Sequence, residues 1–384
     1  MLFYEFFAGG GMARLGLGAD ARCLFANDID PDKCAAYIRN FGGAELHEAD
    51  IRSLSTADLP GHADVAWASS PCQDLSAAGH GAGLKGPRSC MAFAFLWLMA
   101  GLAAERRGPP IIVIENVDRL VTSKGGRDLA SLVELLTAID YRVGTLVVDA
   151  ALFLPQSRRR LFLVAVRDDV AVPGFVLSSA AKSCWHPAAL EHALTHPSAQ
   201  ARRQWVWWTL PQPAPRTNTL ADMIEPEPKG VRWDSEEETI RLLAMMSEAS
   251  REKLAAARMR GTPILGAMSQ RTRYRNEAKI QRVEVRFDGL AGCLLAPKGG
   301  SSCQRLLFID GSDVRSRRLS PREAARLMGL PEHYVLPRGF WDAMRLIGDG
   351  VAVPVVEHLT RHLIMPILGT SARPSELTPL AQAA

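Results

Sequence analysis

Five short runs in the first 170 residues are apolar at nearly every position: 2–8, 23–28, 64–70, 111–116 and 161–166. They are rich in Val, Ile and Phe and lack clean alternation, which predicts strands covered on both faces. Helical stretches separate them, one opening after the glycines at 9–11 and one at Pro31. Strand–helix alternation predicts an α/β fold built on a doubly wound, mostly parallel sheet. Ligands of such sheets bind outside the carboxyl ends of the strands, so the informative residues should stand just after each run.

From 173 the pattern changes. A Pro/Trp-rich stretch holds Trp185, Trp205, Trp207 and Trp208, and a charged helical segment follows at 234–258. A basic stretch comes next, then the Gly/Ser turn PKGGSS at 297–302. The helix-like run 319–330 reads as a junction, and the helical run 347–364, apolar on one face, as a return to the first domain. The expected organisation is 1–172 for the first domain, 173–343 for a smaller second domain with its hinge, and 344–384 for the returning segment.

Composition narrows the class. At 47% hydrophobic and 22% charged, the chain is neither mostly disordered nor fibrous. The apolar run Cys90–Ala104 is shorter than the roughly 20 residues a membrane span needs. The N-terminus lacks the basic region of a signal peptide. Seven cysteines without a CxxC pair argue against a disulfide framework and a four-cysteine zinc site. A soluble, cytoplasmic protein without membrane attachment is expected. Net charge is +4, but the stretch 251–286 carries ten Lys/Arg against three acids. The basic character is therefore local, as in a nucleic-acid contact.

Chemistry sits at the strand ends. Phe7-Ala8-Gly9-Gly10-Gly11 follows the first strand, where glycines let the backbone approach a nucleoside; alone, they fit a tight strand–helix turn equally well. Asp28 ends the second strand, placed to accept from ribose hydroxyls. Asp50-Ile51 precedes the third; Asp50 reads either as an adenine contact or as a solvated loop acid. Pro71-Cys72 follows the 64–70 run, and Cys72 is a candidate nucleophile or a small buried core residue. Glu115 closes the fourth run; it reads either as an acid whose apolar setting keeps it protonated or as an edge acid facing solvent. Gln156-Ser157-Arg158-Arg159-Arg160 precedes the fifth, and alternation would put Arg158 and Arg160 on one side.

Taken together, in this order, these motifs resemble those of the bacterial-type cytosine-5 DNA methyltransferases. The likeness continues through Arg318-Leu319-Ser320-Pro321-Arg322-Glu323-Ala324-Ala325 and Gly348-Asp349-Gly350-Val351-Ala352. It implies a class I, Rossmann-like fold and a second domain for target recognition. It implies methyl transfer from S-adenosylmethionine, with S-adenosylhomocysteine as product and no metal, to a cytosine flipped out of double-stranded DNA. Cys72 would attack carbon 6, Glu115 would bond the ring nitrogen and exocyclic amine, and Arg160, with Arg158 beside it, would hold the ring carbonyl. The cofactor would meet Phe7, Ala8, Gly9, Gly10, Gly11, Asp28, Ile29, Asp50, Ile51, Pro71, Met91 and Asp349. DNA would meet Ser76 and Arg88 on the loop after Cys72, and Arg271, Arg273, Arg275, Lys279 and Arg282 of the basic stretch. Lys298 and Gln304, flanking the Gly/Ser turn, would read bases. The resemblance also implies a monomer at the nucleoid, and it admits either a partner restriction endonuclease or a solitary enzyme.

Three positions depart from the family pattern. Met12 stands where a second adjacent glycine is usual, Asp349 where Asn is common, and Cys90 closes a usual Arg-Ser/Gly-Thr triplet. The aspartate brings a negative charge toward the cofactor. Two other readings keep the same motifs in view. A tRNA-methylating branch shares the catalytic residues, but its Cys-Phe-Thr signature is absent. A DNA-binding protein without catalysis would not need Cys72, Glu115 and Arg160 together.

Overall fold

The computed structural model describes residues 1–71, 90–182, 184–275, 278–296 and 303–370. Seven strands form one sheet: β1 (Leu2–Phe6), β2 (Arg22–Asp28), β3 (Leu46–Glu48), β4 (Val65–Ser69), β5 (Ile111–Val117), β6 (Tyr141–Asp149) and β7 (Arg159–Arg167). Their order is β3-β2-β1-β4-β5-β7-β6, and β7 alone runs antiparallel to its neighbours. The expected doubly wound, mostly parallel sheet is present. β3 and β6 are strands that the run of apolar positions does not single out.

The absence of alternation has the expected cause. Phe3, Val65, Trp67, Ile111, Val113, Phe162 and Val164 pack on one face of the sheet. Tyr4, Phe6, Ala66, Ala68, Ile112, Ile114, Leu161 and Leu163 pack on the other. Helices α1 (Met12–Leu17), α2 (Pro31–Phe41), α3 (Cys90–Ala104) and α4 (Arg127–Thr137) connect the strands. Asp30 starts α2 by accepting from the Asp32 and Lys33 amides, with Pro31 in the first turn. The chain order reverses between β1 and β4, so the cleft of this sheet opens at their carboxyl ends.

Residues beyond 173 first continue this layer. Trp185 and Trp208 are fully buried in the core that holds Phe162 and Val164. The Trp208 indole donates to the Val164 carbonyl at 3.0 Å. Two short strands there, β8 (Leu177–Ser178) and β9 (Trp207–Trp208), pair with each other. A separate antiparallel sheet then forms from β10 (Ile264–Arg275), β11 (Ala278–Arg286), β12 (Gln304–Asp310) and β13 (Asp313–Arg318), in the order β11-β10-β12-β13. Helices Glu236–Ala244 and Glu248–Arg258 cover one side through Leu242 and Leu254, packed on Met268, Val283, Val285 and Leu307. The basic stretch is thus largely a β-hairpin. Its charged residues conceal the period-2 pattern of Met268, Val283 and Val285.

The chain returns through helices Phe340–Asp349 and Val353–Leu359 to the core of the first sheet, where Leu359, Leu363 and Ile367 are buried. A buried ion pair fixes the junction. The Arg317 guanidinium donates twice to Glu323, at 2.6 and 2.9 Å, with both side chains essentially inaccessible. Glu323 also accepts from the Ser320 amide at 2.7 Å and the Glu225 amide at 2.9 Å. One carboxylate therefore joins β13, the helix Pro321–Arg326 and the segment entering the second sheet.

A second buried acid lies on β1. Glu5 is 1% exposed; one oxygen accepts from the Arg14 amide at 3.2 Å, and the other has no partner. Burial, aided by the carboxylates of Asp28 and Glu45, pushes its pKa up to about 8.

Two stability outcomes follow from these acids. Glu323→Gln leaves a buried guanidinium uncompensated and should cost roughly 3–5 kcal/mol in urea unfolding. Glu5 binds a proton in the folded state that the unfolded chain loses near the ordinary pKa of 4.5. Native stability therefore falls as pH rises from that value to about 8. Glu5→Gln should remove this term, so its stability relative to wild type rises by up to about 1.4 kcal/mol per pH unit within the window and levels off outside it. A flat difference across the window would show that Glu5 is already ionised.

Candidate active site

The turn after β1 is shaped by its glycines and by Asp28. Phe7, Gly9 and Gly11 have φ of 55°, 56° and 73°. Left-handed backbone suits glycine, and a non-glycine there is a strained position of the kind found at functional sites. Asp28 is buried at the end of β2, with one oxygen accepting from the Gly9 amide at 2.8 Å and the other from the Asp30 amide at 2.9 Å. It binds the β1 and β2 turns to one another. The space a Cβ would occupy on Gly9 is open, and Ile29 beside Asp28 is 60% exposed. An open glycine turn, a carboxylate with lone pairs to spare and a bare apolar side chain fit a nucleoside group.

Asp50 is held by its neighbours in the chain. It caps the turn Ile51–Ser53, and the Arg52 guanidinium bonds it at 2.5 Å. Hydrogen bonds from Arg52 hold its carboxyl below the usual range. Ile51 is buried, Pro71 is exposed at the end of the β4 segment, and Met91 is half-buried in the first turn of α3.

The ends of β4, β5 and β7 meet across the cleft. Ser69 pairs with Glu115 in the β4–β5 register, and Val117 pairs with Arg160 in the β5–β7 register. Because β7 is reversed, its first residues lie at the same edge as the last residues of β5. That brings the Arg160 guanidinium to 3.2 Å from Glu115. Glu115 is buried, and burial raises its pKa against the opposing pull of Arg160 and Arg158. Asn116 donates to the Ser70 hydroxyl at 3.1 Å and closes the neighbouring strand ends. Cys72, Ser76, Arg88 and Lys298 lie outside the described residues.

Arg158 lies near Arg160 and Glu115, but it turns its guanidinium to backbone carbonyls. Only 2% exposed, its guanidinium donates to the carbonyls of Leu294 at 2.8 Å, Gly348 at 3.0 Å and Gly350 at 2.5 Å. Burial and the nearby Arg160 pull its pKa down to about 10, which leaves it charged at neutral pH. Arg158 is a tie between segments rather than a group facing the cleft.

Gln304 is also corrected. It is 6% exposed on β12, and its amide oxygen accepts from the Gly292 amide at 3.3 Å. A side chain held under a loop is not presented to a base. Arg271 is exposed and lies 3.2 Å from Glu284; it is opposite Arg282 in the hairpin register. Arg273, Arg275 and Lys279 lie on the same two strands, with their side chains outside the description.

Several site groups escape a reading of the sequence. Lys33, in the first turn of α2, places its ammonium 2.7 Å from the Asp349 carboxylate across 316 residues of chain. Met12 rests on Gly350, where a Cβ would lie 2.1 Å from its sulfur. Gly348 admits no Cβ because the backbone of Leu295 and Ala296 passes it. The motif positions were visible in the sequence, but these long-range partners carry no local signal.

Comparison with known proteins gives this arrangement a family. The profile of C-5 cytosine-specific DNA methylases matches residues 1–365. Type II methyltransferase M.NlaX of Neisseria lactamica is 27% identical over 96% of the chain and 98% of its own length. M.HhaI of Haemophilus parahaemolyticus is 23% identical, over 94% and 93%. Among solved structures, the Entamoeba histolytica methyltransferase EhMeth aligns over 97% of the chain and 99% of its own with a TM-score of 0.61 at 14% identity, which bears on fold alone. With this profile spanning nearly the whole chain, the protein belongs to the C-5 cytosine-specific DNA methylases.

Proposed function

We propose that the protein methylates carbon 5 of cytosine within one defined duplex sequence, through a transient bond between Cys72 and carbon 6 of a base rotated out of the helix. The contact between Glu115 and Arg160 carries this reading: a buried carboxyl and a guanidinium meet at strand ends, and the Ser69 end of β4 lies two residues ahead of Pro71. Addition of the Cys72 sulfur to carbon 6 pushes electron density to carbon 5. Burial favours the protonated Glu115, which donates to the ring nitrogen, while Arg160 donates to the ring carbonyl. S-adenosylmethionine supplies an electrophilic methyl group on its sulfonium. Carbon 5 takes the methyl and then gives up its proton to a base, and the sulfur leaves. S-adenosylhomocysteine is the second product. Thiol, carboxylic acid and guanidinium complete this chemistry without calling on a metal.

For the cofactor, Phe7 and Ile29 would flank the adenine, and Pro71, Ile51 and Met91 would line the pocket. The backbone of Ala8 to Gly11 would face the methionine part. Asp28 would accept from the ribose hydroxyls with the lone pairs its two amide contacts leave over. Asp50 would accept from the adenine amine while Arg52 holds it in place. We assign the antiparallel sheet beyond residue 260 to target recognition, with Arg271 and Arg282 on one face of the hairpin meeting phosphates. Arg273 and Arg275 follow at the same alternation. The protein would act as a monomer on nucleoid DNA, and a partner restriction endonuclease, rather than a solitary role, would accord with relatives named as type II methyltransferases.

Duplex DNA carrying 5-fluorocytosine at the target tests the route, because fluorine does not leave as a proton does. The enzyme should remain attached to it through denaturation, and Cys72→Ser should abolish both adduct and methyl transfer, since a hydroxyl is far less ionised than a thiol. Near-normal turnover by the serine variant, or methyl transfer into tRNA in place of DNA, would overturn the reading. For the hairpin, Arg273→Glu with Arg275→Glu should weaken binding to all duplex sequences about equally and flatten its salt dependence. An unchanged salt slope in a filter-binding titration would move the DNA path elsewhere.

A further inference from the structure

Asp349 ends the helix Phe340–Asp349 at a place that has little freedom to adjust. Arg158 holds the carbonyls on either side of it, Met12 packs on Gly350, and Gly348 lies against the Leu295–Ala296 backbone. Its carboxylate is consequently fixed beside the glycine turn that follows β1. The Lys33 ammonium meets that carboxylate at 2.7 Å and is only 18% exposed, against 39% for Asp349. Lys33 also lies within the fields of Asp28 and Asp30. Burial disfavours its charge, and the carboxylates, Asp349 foremost, more than offset this, raising its pKa. Arg345 pairs with Asp30 at 3.7 Å and Asp32 at 2.7 Å, so those acids have a cation of their own. Among the described residues, Lys33 makes the only ion pair with Asp349. One ammonium is therefore paired with Asp349 of the returning segment and lies within the field of Asp28 at the end of β2.

This matters because methyl donor and demethylated product differ by one charge. S-adenosylmethionine carries a sulfonium that S-adenosylhomocysteine lacks, while the adenosine and amino-acid portions are shared. We propose that the Lys33–Asp349 pair sets the charge of the cofactor pocket and thereby its preference between the cationic donor and the neutral product. The pair also accounts for the aspartate at a position where the family commonly has Asn: a carboxylate is accommodated there because a lysine accompanies it. The inference rests on the cofactor site proposed above.

Isothermal titration of the purified full-length chain with each ligand separates the two ideas. The measured quantity is the ratio of the two dissociation constants, in which general losses of folding or adenosine affinity cancel. Lys33→Met leaves two carboxylates uncompensated and should shift the ratio toward the donor, by roughly three- to ten-fold for a unit charge at this range. Asp349→Asn leaves the ammonium in excess and should shift it toward the product by a similar factor. The double variant should return to within about two-fold of wild type, and both single shifts should shrink in high salt. Because the single variants act in opposite directions, either one alone remains informative if the other does not fold. Ratios unchanged in the singles would overturn the role of the pair. Wild-type protein that binds neither ligand would instead overturn the cofactor site, and the role of the pair with it.

Discussion

A guanidinium buried away from water needs acceptors for its donors, and the fold supplies them to both terminal nitrogens of Arg158 while its Nε is left without one. The carbonyls it uses come from Leu294, Gly348 and Gly350, two segments more than 130 residues distant in sequence. Its own amide donates to Asp149 at the end of β6. Loss of any one acceptor would leave a donor of this buried cation unsatisfied, so these segments hold one another in place. The consequence reaches the site from both sides. Arg160 stands two residues along the chain, and Asp349 lies between two of the carbonyls that Arg158 holds.

The same logic recurs at Glu323, whose carboxylate collects Arg317 and two backbone amides where the second sheet joins the first layer. Ion pairs of this kind are weak sources of net stability but strict about geometry. They contrast with the apolar two-faced packing of the parallel strands, which supplies the cohesion but little positional detail. Glu5, buried beneath the glycine turn with one unpartnered oxygen, belongs to neither group; its raised pKa is the simplest way for a carboxyl to remain there.

How much was legible in the sequence depended on whether the signal was local. The parallel strands were, because fully buried strands need near-continuous apolar runs. Asp28, Glu115 and Arg160 were, because a strand end fixes where a side chain is delivered. Arg158 lies near Arg160, but the carbonyls that take its guanidinium come from distant segments and had no local signal. Gln304 was misread because a polar residue next to a Gly/Ser turn suggests an exposed surface, while Gly292 instead draws it inward. The β10–β11 hairpin was hidden by its arginines, and β3 by its three-residue length. Lys33 had no signal at all, since its partner is brought to it only by the return of the chain.

The reversal of β7 has a consequence for how this chain tolerates changes in length. Glu115 and Arg160 are positioned by facing rungs of one antiparallel ladder, Glu115 with Phe162 and Val117 with Arg160. Side chains alternate along a strand, so one residue gained or lost within 111–117 or 159–167 would turn one member of the pair toward the opposite layer. The chain between Glu225 and Trp233 carries no helix, strand or bridge, and a residue added there changes no rung. Length variation should therefore accumulate ahead of the second sheet and be nearly absent from β5 and β7, so that the spacing of the acid and the arginine persists while the entry to the second sheet diverges.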